Sequence, residues 1–275
     1  SIYSPDGTIK IINFHYGQGG GNLRPMTRND FHKLFKSPGP VVLPVIHVTD
    51  NDQASRNVAI VIEEGASGVF LINHDFAYQE FLPIIRHVRK RYPSLWLGVN
   101  FLAVTGREAF PVLGQLAREG VHVDAYWADD ACINEHEALD AQTEAGAIKK
   151  IRETSGWNGL YTGGTCFKKQ REVAPEHYAI SAKIATHYMD AVCTSGVATG
   201  HAADLDKIAT FREAMGDAPL TLASGITPEN AHNYVKDVDG FMVATGINFK
   251  DDFYNIDPSR LRALLTLCRK EGAKS

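Results

Sequence analysis

Residues 220–230, LTLASGITPEN, join an apolar run to a polar segment that has the features of a helix start. Thr227 is a good N-cap residue, and Pro228 suits the first position of a helix. Ser224 and Gly225 form a small-residue turn between the two parts. Such a turn lets a ligand approach the backbone closely, and free N–H groups at a helix start attract anions. This stretch therefore suits a phosphate site, with an ordinary strand-to-helix turn as the alternative.

Two further groups of side chains have acid–base or cation-binding chemistry. Asp129 and Asp130 are adjacent carboxylates, which suit a divalent cation such as Mg²⁺ or the hydroxyls of a ribose. A solvated acidic loop is the alternative for this pair. His47 and His74 are candidate acid–base groups, because histidine titrates near neutral pH. His47 has apolar neighbours, so a buried and hydrogen-bonded histidine is an equal interpretation of it.

Eight short apolar runs, alternating with helical patterns, would position these residues. The runs are rich in β-branched, aromatic and small residues, which fits parallel strands buried on both faces. They lie at residues 41–48, 67–73, 95–101, 123–129, 157–164, 189–196, 220–225 and 239–246. Eight such units predict a closed (β/α)8 TIM barrel, in which the first and last strands are hydrogen-bonded neighbours. An open doubly wound sheet is the alternative.

Capping residues predict where individual helices begin and end. The helix after the first strand is expected to stop at Gly65. Thr105 and Glu108 have the spacing of a capping box, in which each side chain bonds the other residue's backbone N–H.

Residues 1–40 lie outside the repeat, and we interpret them as an extension packed on a barrel that spans residues 41–275. A β-hairpin is expected around residues 5–7, Pro-Asp-Gly. The GQGGG segment at residues 17–21 is expected to be a flexible linker, with a mobile lid as the alternative. Thr27 is expected to cap a short helix.

The overall composition excludes several functional classes. The 275 residues carry a formal net charge of −4 and lack the basic stripe of a nucleic-acid-binding protein. No apolar run is long enough for a membrane span and no segment resembles a signal peptide, so a cytoplasmic protein is expected. The four cysteines are widely spaced, which indicates reduced thiols. No predicted strand displays a central lysine, which argues against an aldolase that forms a Schiff base.

Polar residues or glycines follow all eight predicted strands, at the end where barrels carry their function. Asn, Asp and Gly are also common turn formers, so part of this pattern is expected in any barrel. Barrels frequently bind phosphate with the loops after strands seven and eight. Here those loops offer Ser224, Gly225, Thr245 and Gly246, which we predict to bind phosphate.

Several of these segments together resemble the BtpA family, barrel proteins placed among the phosphate-binding TIM barrels and named for photosystem I biogenesis. The similarity covers roughly residues 40–267 and is most specific in SGVATG, residues 195–200, and in the block of the last two strands. The quoted segments are VVLPVIHV, EEGASGVFLIN, LGVNFLA, AVCTSGVATG, LASGITPENAHNYVKDVDGFMVATGI and NIDPSRLRALL. The block of the last two strands is also similar to phosphoribosylanthranilate isomerase-like barrels.

The resemblance implies the same phosphate site, a ligand wall from Ser195 to Gly200, and His47 and Asn100 as pocket residues. The chain departs from the family in the short TDNDQ loop after His47 and in its first 40 residues. These loops form the mouth of a barrel pocket, so the substrate does not follow from the resemblance.

The sequence thus predicts an enzyme acting on a phosphorylated sugar or nucleotide, by phosphoribosyl transfer or isomerisation. A non-catalytic BtpA-like assembly factor or phosphate-ligand sensor, and a metal-dependent aldolase or lyase, are the alternatives. The expected partners are a small phosphorylated ligand and a second copy of the chain, with no cofactor beyond a divalent cation. The predicted catalytic residues are His47, Asp129 and Asp130, and the predicted pocket residues are Asn73, Asn100, Thr162, Ser195, Gly196, Thr199 and Gly200.

Overall fold

Eight parallel strands close into a barrel in the computed structural model, which describes residues 2–3, 9–10, 24–198 and 200–273. The barrel strands are β3 (Val41–His47), β4 (Val69–Ile72), β5 (Leu97–Asn100), β6 (Ala125–Ala128), β7 (Leu160–Gly164), β8 (Ala191–Ser195), β9 (Leu220–Ala223) and β10 (Gly240–Val243). Strands β10 and β3 pair in parallel, with Gly240 opposite Val41. The predicted (β/α)8 barrel is therefore confirmed, and the open sheet is excluded.

Each barrel strand lies inside its predicted range but is shorter than that range. Val48, Phe101 and Val123 are fully buried although they lie just outside strands. An apolar residue indicates burial and not β-strand pairing. The apolar runs in the sequence therefore extend beyond the strands into buried residues of the flanking loops.

Seven of the eight barrel strands are followed by an α-helix within the described residues. The helices are α1 (Arg28–Phe35), α2 (Asn51–Glu64), α3 (Tyr78–Arg91), α4 (Gly106–Arg118), α5 (Thr143–Thr154), α6 (Tyr178–Ala185), α7 (Leu205–Met215) and α8 (Pro258–Ala273). Helix α1 precedes the barrel, and α2 to α8 pack around it. None of the helices in the described part of the chain is long and apolar enough to cross a membrane.

Helix boundaries confirm one capping prediction and correct another. Helix α2 ends at Gly65, as predicted. Thr105 is the N-cap of α4, but its side chain makes no capping hydrogen bond, so the predicted capping box is wrong. The carboxylate of Glu108 instead accepts a hydrogen bond from the hydroxyl of Tyr78 at 2.7 Å. Contact with the neighbouring helix α3 has replaced the local bond.

The predicted helix after β9 is absent. Thr227 and Asn230 exchange two hydrogen bonds, of 2.8 and 3.1 Å, in the reciprocal manner of a capping box. Only a short 3₁₀ turn, Ala231–Asn233, follows them. Asn and His are weak helix formers, which is consistent with a cap that does not propagate into a helix. The positive end of an α-helix is thus missing from this side of the predicted phosphate site.

Helix α1, in the amino-terminal segment, meets the barrel at the amino ends of its strands. Strands β1 (Ile2–Tyr3) and β2 (Ile9–Lys10) pair antiparallel, but the predicted hairpin turn and the GQGGG segment lie outside the described residues. Helix α1 begins at a capping box formed by Thr27 and Asp30, which confirms the predicted cap. Its residues Phe31 and Phe35 are buried in the cluster that fills the barrel interior.

Candidate functional site

A cavity of about 240 Å³ opens at the carboxyl ends of the barrel strands. Every one of the eight strands, or the loop that follows it, contributes to its wall. The lining residues that matter for its chemistry are His47, His74, Trp127, Asp129, Lys168, Lys169, Gln170, Gly200, Ser224, Gly225, Thr245 and Gly246. Val45, Ile72 and Met242 form an apolar part of the same wall. The cavity therefore combines apolar surface with polar groups that come from different loops, as ligand sites do.

The four predicted phosphate-binding residues lie together on one side of this cavity, and we call Ser224, Gly225, Thr245 and Gly246 the donor cup. Their backbone N–H groups have no hydrogen-bond acceptor among the described residues. Ser224 and Gly225 are both left-handed, with φ values of 68° and 72°. Successive N–H groups in a turn that have no protein acceptor can form a concave site for an anion.

The two glycines of the donor cup are also required by packing. A Cβ atom at Gly225 would overlap the backbone of His201 and Ala202. At Gly246 it would overlap the carbonyl group of Ile226. A glycine at these positions is therefore explained by close contact between loops, independently of any ligand.

His47 is a buried histidine with one ring nitrogen held by the backbone. Its Nδ1 donates to the carbonyl oxygen of Phe253 at 2.7 Å, and its ring stacks on that of Phe253 at 3.6 Å between centroids. Burial lowers the pKa of His47 to about 4, and the hydrogen bond to Phe253 opposes this shift. The ring is therefore neutral at pH 7, with its proton on Nδ1. Its Nε2 then carries a lone pair and can accept a proton or a hydrogen bond.

Asp129 lies on the cavity wall and is paired with the predicted pocket residue Asn100. The amide nitrogen of Asn100 donates to Oδ1 of Asp129 at 2.9 Å, and Asn100 itself is fully buried. Burial raises the pKa of Asp129, whereas Asn100 and Lys168 lower it. The net shift favours the protonated carboxyl, which is the form needed in a general acid.

Asp130 does not share this environment. Its Oδ1 accepts a hydrogen bond from the backbone N–H of Cys132 at 2.7 Å, and it lines a smaller cavity of about 100 Å³, whose wall also includes Asp129. The two adjacent carboxylates thus face different surroundings, and only Asp129 reaches the main cavity.

Most of the other predicted pocket residues do not line the cavity but form hydrogen bonds or contacts close to it. Asn73 bonds the loop at Phe76 and the backbone N–H of Leu102, and Thr162 bonds Thr221 inside the barrel. Ser195 accepts from the backbone N–H of Lys168 at 2.7 Å. Gly196 packs against the His201–Ala202 backbone, Gly200 lines the cavity, and Thr199 lies outside the described residues.

Lys168 and Trp127 line the cavity but were not among the predicted site residues. Lys168 is half-buried, and burial lowers the pKa of its ammonium group. Trp127 is 5% exposed, and its indole N–H has no partner among the described residues. The lysines were visible in the sequence directly after the fifth predicted strand, as TGGTCFKKQ. They lie in a loop and not in the strand itself.

One further cluster has ligand atoms close enough for a metal ion. Those of Glu135, His136 and His177 lie within 4.8 Å of one another, outside the main cavity. Glu135 already accepts two hydrogen bonds from Arg171, at 2.7 and 2.5 Å, which hold its pKa at about 2. The carboxylate therefore has a cation partner in the absence of a metal.

Comparisons with known proteins agree with this fold. The model of the BtpA family matches residues 172–270, which confirms the resemblance over that part of the chain. The structure is similar to phosphoribosyl anthranilate isomerase from Thermus thermophilus, with 16% identity, a TM-score of 0.52, and coverage of 82% of this chain and 96% of that chain. It is also similar to tryptophan synthase subunit alpha from Legionella pneumophila str. Paris, with 17% identity, a TM-score of 0.60, and coverage of 91% and 100%. At these identities the similarity shows the barrel fold alone, and a search of curated proteins found no match.

Proposed function

We propose that this protein is an enzyme acting on a phosphorylated sugar or nucleotide, by isomerisation or phosphoribosyl transfer. The observation that carries the proposal is the shared cavity. It joins the unpaired N–H groups of the donor cup to Asp129 and His47, whose pKa values are both shifted. The similarity to solved structures named phosphoribosyl anthranilate isomerase and tryptophan synthase subunit alpha supports an enzyme on this fold. The activity itself is inferred from the site.

The two titratable groups suit a proton transfer. The Nε2 of neutral His47, which has no hydrogen-bond partner among the described residues, can accept a proton, and burial shifts Asp129 toward the protonated form, which can donate one. The phosphate would be held in the donor cup while the reacting carbon atoms lie against the apolar wall. Binding energy from the phosphate then positions the reacting centre between base and acid.

The size of the cavity favours the smaller of the two ligand classes. Its volume of about 240 Å³ lies below the roughly 300–1,000 Å³ that is usual for pockets of drug-sized ligands. A sugar phosphate therefore fits this space better than a complete nucleotide does.

The donor cup is tested best at Thr245, because its side chain is exposed at the cup. Thr245→Glu adds a negative charge where phosphate is expected, and Thr245→Gln is the uncharged control of equal size. We expect Thr245→Glu to weaken binding of ribose 5-phosphate at least about tenfold, a loss of about 1.4 kcal/mol, in isothermal calorimetry. Thr245→Gln should stay within a few-fold of the unmodified protein. Equal affinities in the two variants would place the phosphate elsewhere.

Catalysis is tested at Asp129. Asp129→Asn preserves the size and hydrogen bonding of the protonated carboxyl but cannot transfer a proton. It should retain ribose 5-phosphate binding and the free energy of unfolding within about 0.5 kcal/mol, because burial already favours the neutral form. Turnover, assayed with sugar phosphates and with phosphoribosyl pyrophosphate plus purine bases, should fall about 10²–10⁴-fold.

Two other outcomes of that assay would favour an alternative function. Tight binding without turnover by the unmodified protein would support the phosphate-ligand sensor. Turnover that a chelator abolishes would support the metal-dependent lyase.

A further inference from the structure

Lys168 is a lysine of the cavity wall that reaches the site from the loop after β7. We propose that its amine is a nucleophile that forms an imine with the carbonyl group of a phosphorylated aldehyde or ketone, an inference that rests on the proposed phosphate site. The absence of a lysine from every barrel strand argued against this chemistry. In the tertiary structure, the loop after β7 places the amine of Lys168 at the cavity instead.

The backbone of Lys168 is fixed, whereas its side-chain nitrogen has no hydrogen-bond or ion-pair partner in the described part of the chain. Its N–H donates to Oγ of Ser195, a residue that is fully buried, at 2.7 Å. Its Nζ makes no hydrogen bond or ion pair with any described residue, and lies 5.9 Å from the centroid of the Phe167 ring. A long side chain held at its base and free at its end is suited to react with a ligand in the cavity.

Lys207 provides the contrast that separates a structural lysine from a reactive one. Burial lowers the pKa of Lys207 as it does that of Lys168. However, the Nζ of Lys207 donates to the carbonyl oxygens of Cys166 at 2.6 Å and Ser195 at 2.8 Å. Lys207 therefore links β7 and β8 loops, and its partners explain it fully. No such partners explain Lys168.

Burial shifts the pKa values of Lys168 and Asp129 in opposite directions, each toward its uncharged form. Burial lowers the pKa of Lys168 and Lys169 adds to this, while the charges of Asp129 and Cys193 oppose it. Asp129 lines the same cavity with a raised pKa. A free amine attacks a carbonyl carbon, and a nearby acid can protonate the oxygen that must leave.

The step balances without an external reactant. The Nζ lone pair forms a bond to the carbonyl carbon, and the C=O π electrons move to oxygen, which takes a proton from Asp129. Nitrogen returns one proton to the Asp129 carboxylate, which then protonates the hydroxyl so that it leaves as water. The nitrogen lone pair forms the C=N bond as water leaves, and the resulting protonated imine draws electrons from the neighbouring carbon, where His47 can remove a proton.

Borohydride trapping tests the imine directly. The protein is incubated with dihydroxyacetone phosphate or ribose 5-phosphate and then with sodium borohydride, which reduces an imine to a stable secondary amine. We expect the protein mass to rise by the mass of the carbonyl compound less one oxygen atom, with the adduct on the peptide that contains Lys168. Inorganic phosphate, which competes for the donor cup, should reduce the yield.

Two variants separate a nucleophile from a positive charge. Lys168→Arg keeps the charge but has no nucleophilic amine, so it should bind the sugar phosphate and form no adduct. Lys183→Arg makes the same change at an exposed lysine of helix α6, outside the cavity, and should form the adduct as the unmodified protein does. An adduct that persists in Lys168→Arg would overturn the assignment.

Failure of this inference can be told apart from failure of the proposed function. If calorimetry shows binding of dihydroxyacetone phosphate but trapping leaves Lys168 unlabelled, the imine is excluded and the phosphate site stands. If no phosphorylated compound binds, the same trapping with unphosphorylated glyceraldehyde decides the inference. Selective labelling of Lys168 would then uphold the nucleophile without the phosphate site, and labelling spread over all lysines would reject both.

Discussion

At the scale of single residues, the glycines of the donor cup must both line the cavity and pack closely against other loops. One side of Gly225 and Gly246 lines the cavity, and the other side packs against backbone from neighbouring loops. A branched side chain at either position would therefore disturb the loops before it reached a bound phosphate. This is why Thr245, whose side chain is exposed, is the better position at which to test the cup.

We predict that Gly246→Ala lowers the free energy of unfolding by about 1–3 kcal/mol, because its Cβ would overlap the carbonyl of Ile226. Gly225→Ala should cost at least as much, since its φ of 72° is additionally unfavourable for alanine. Urea denaturation measures both values. Ser224→Ala is the control within the cup and should remain within about 0.5 kcal/mol. Unchanged stability of Gly246→Ala would show that the loops can separate at low cost.

At the scale of elements, helix α2 holds the loop that covers His47. Gln53 donates to the carbonyl oxygens of His47 at 3.1 Å and Tyr254 at 2.8 Å. Asn57 donates to the carbonyl of Tyr254 and accepts from the backbone N–H of Ile256 at 2.9 Å. These bonds keep Phe253 stacked on the histidine ring. The environment of a catalytic candidate is therefore set by a helix that does not line the cavity.

We predict that Asn57→Ala raises the pKa of His47 above its value of about 4, because loosening the loop exposes the ring to water. The loss of a buried hydrogen-bond partner should also cost about 1–3 kcal/mol of stability. NMR titration of the His47 ring gives the pKa. Ile148→Val, in the distant helix α5, is a destabilised control that should leave this pKa unchanged. A midpoint still near 4 in Asn57→Ala would mean that the loop does not control the histidine.

At the scale of the whole molecule, Asp239 joins the amino-terminal helix to the barrel. Its fully buried carboxylate accepts from Arg28 at 2.9 Å and from the backbone N–H of Leu220 at 2.9 Å, and it pairs with His32 at 2.8 Å and Arg212 at 3.3 Å. The network connects α1, α7, β9 and the start of β10. It lies at the amino ends of the strands, opposite the cavity, where a barrel carries stability rather than function.

The stability of this network depends on pH through His32. Burial lowers the pKa of His32, but the hydrogen bond and charge of Asp239 outweigh burial and raise it above 6.5. The stabilisation that the His32–Asp239 pair provides is therefore fully present below pH 6.5 and is lost as the pH rises through the pKa of His32 in the folded protein. We predict that His32→Gln costs more stability at pH 6 than at pH 9, as measured by urea denaturation at each pH. In an Asp239→Asn background this pH dependence should vanish. A cost that does not vary with pH would exclude a charged pair.

The sequence by itself determined the barrel and which strand ends meet. Apolar runs and caps are local features, and eight strand–helix units leave few ways to bury their apolar faces. The glycine-containing turns at 224–225 and 245–246 were likewise readable, because each follows its strand directly. In the closed barrel β10 pairs with β9 as well as with β3, so the loops after β9 and β10 lie beside each other on one side of the cavity.

Only the tertiary structure decided the chemistry within that cavity. Asp129 and Asp130 are equivalent in the sequence, but only Asp129 lines the main cavity, whereas both line the smaller one. Lys168 reaches the wall because Ser195 of the next strand holds its backbone. The aromatic ring that stacks on His47 belongs to Phe253, which is 206 residues away in the sequence. Such contacts depend on how loops pack across the barrel, and no local pattern encodes that packing, so they follow from the fold and not from the residues alone.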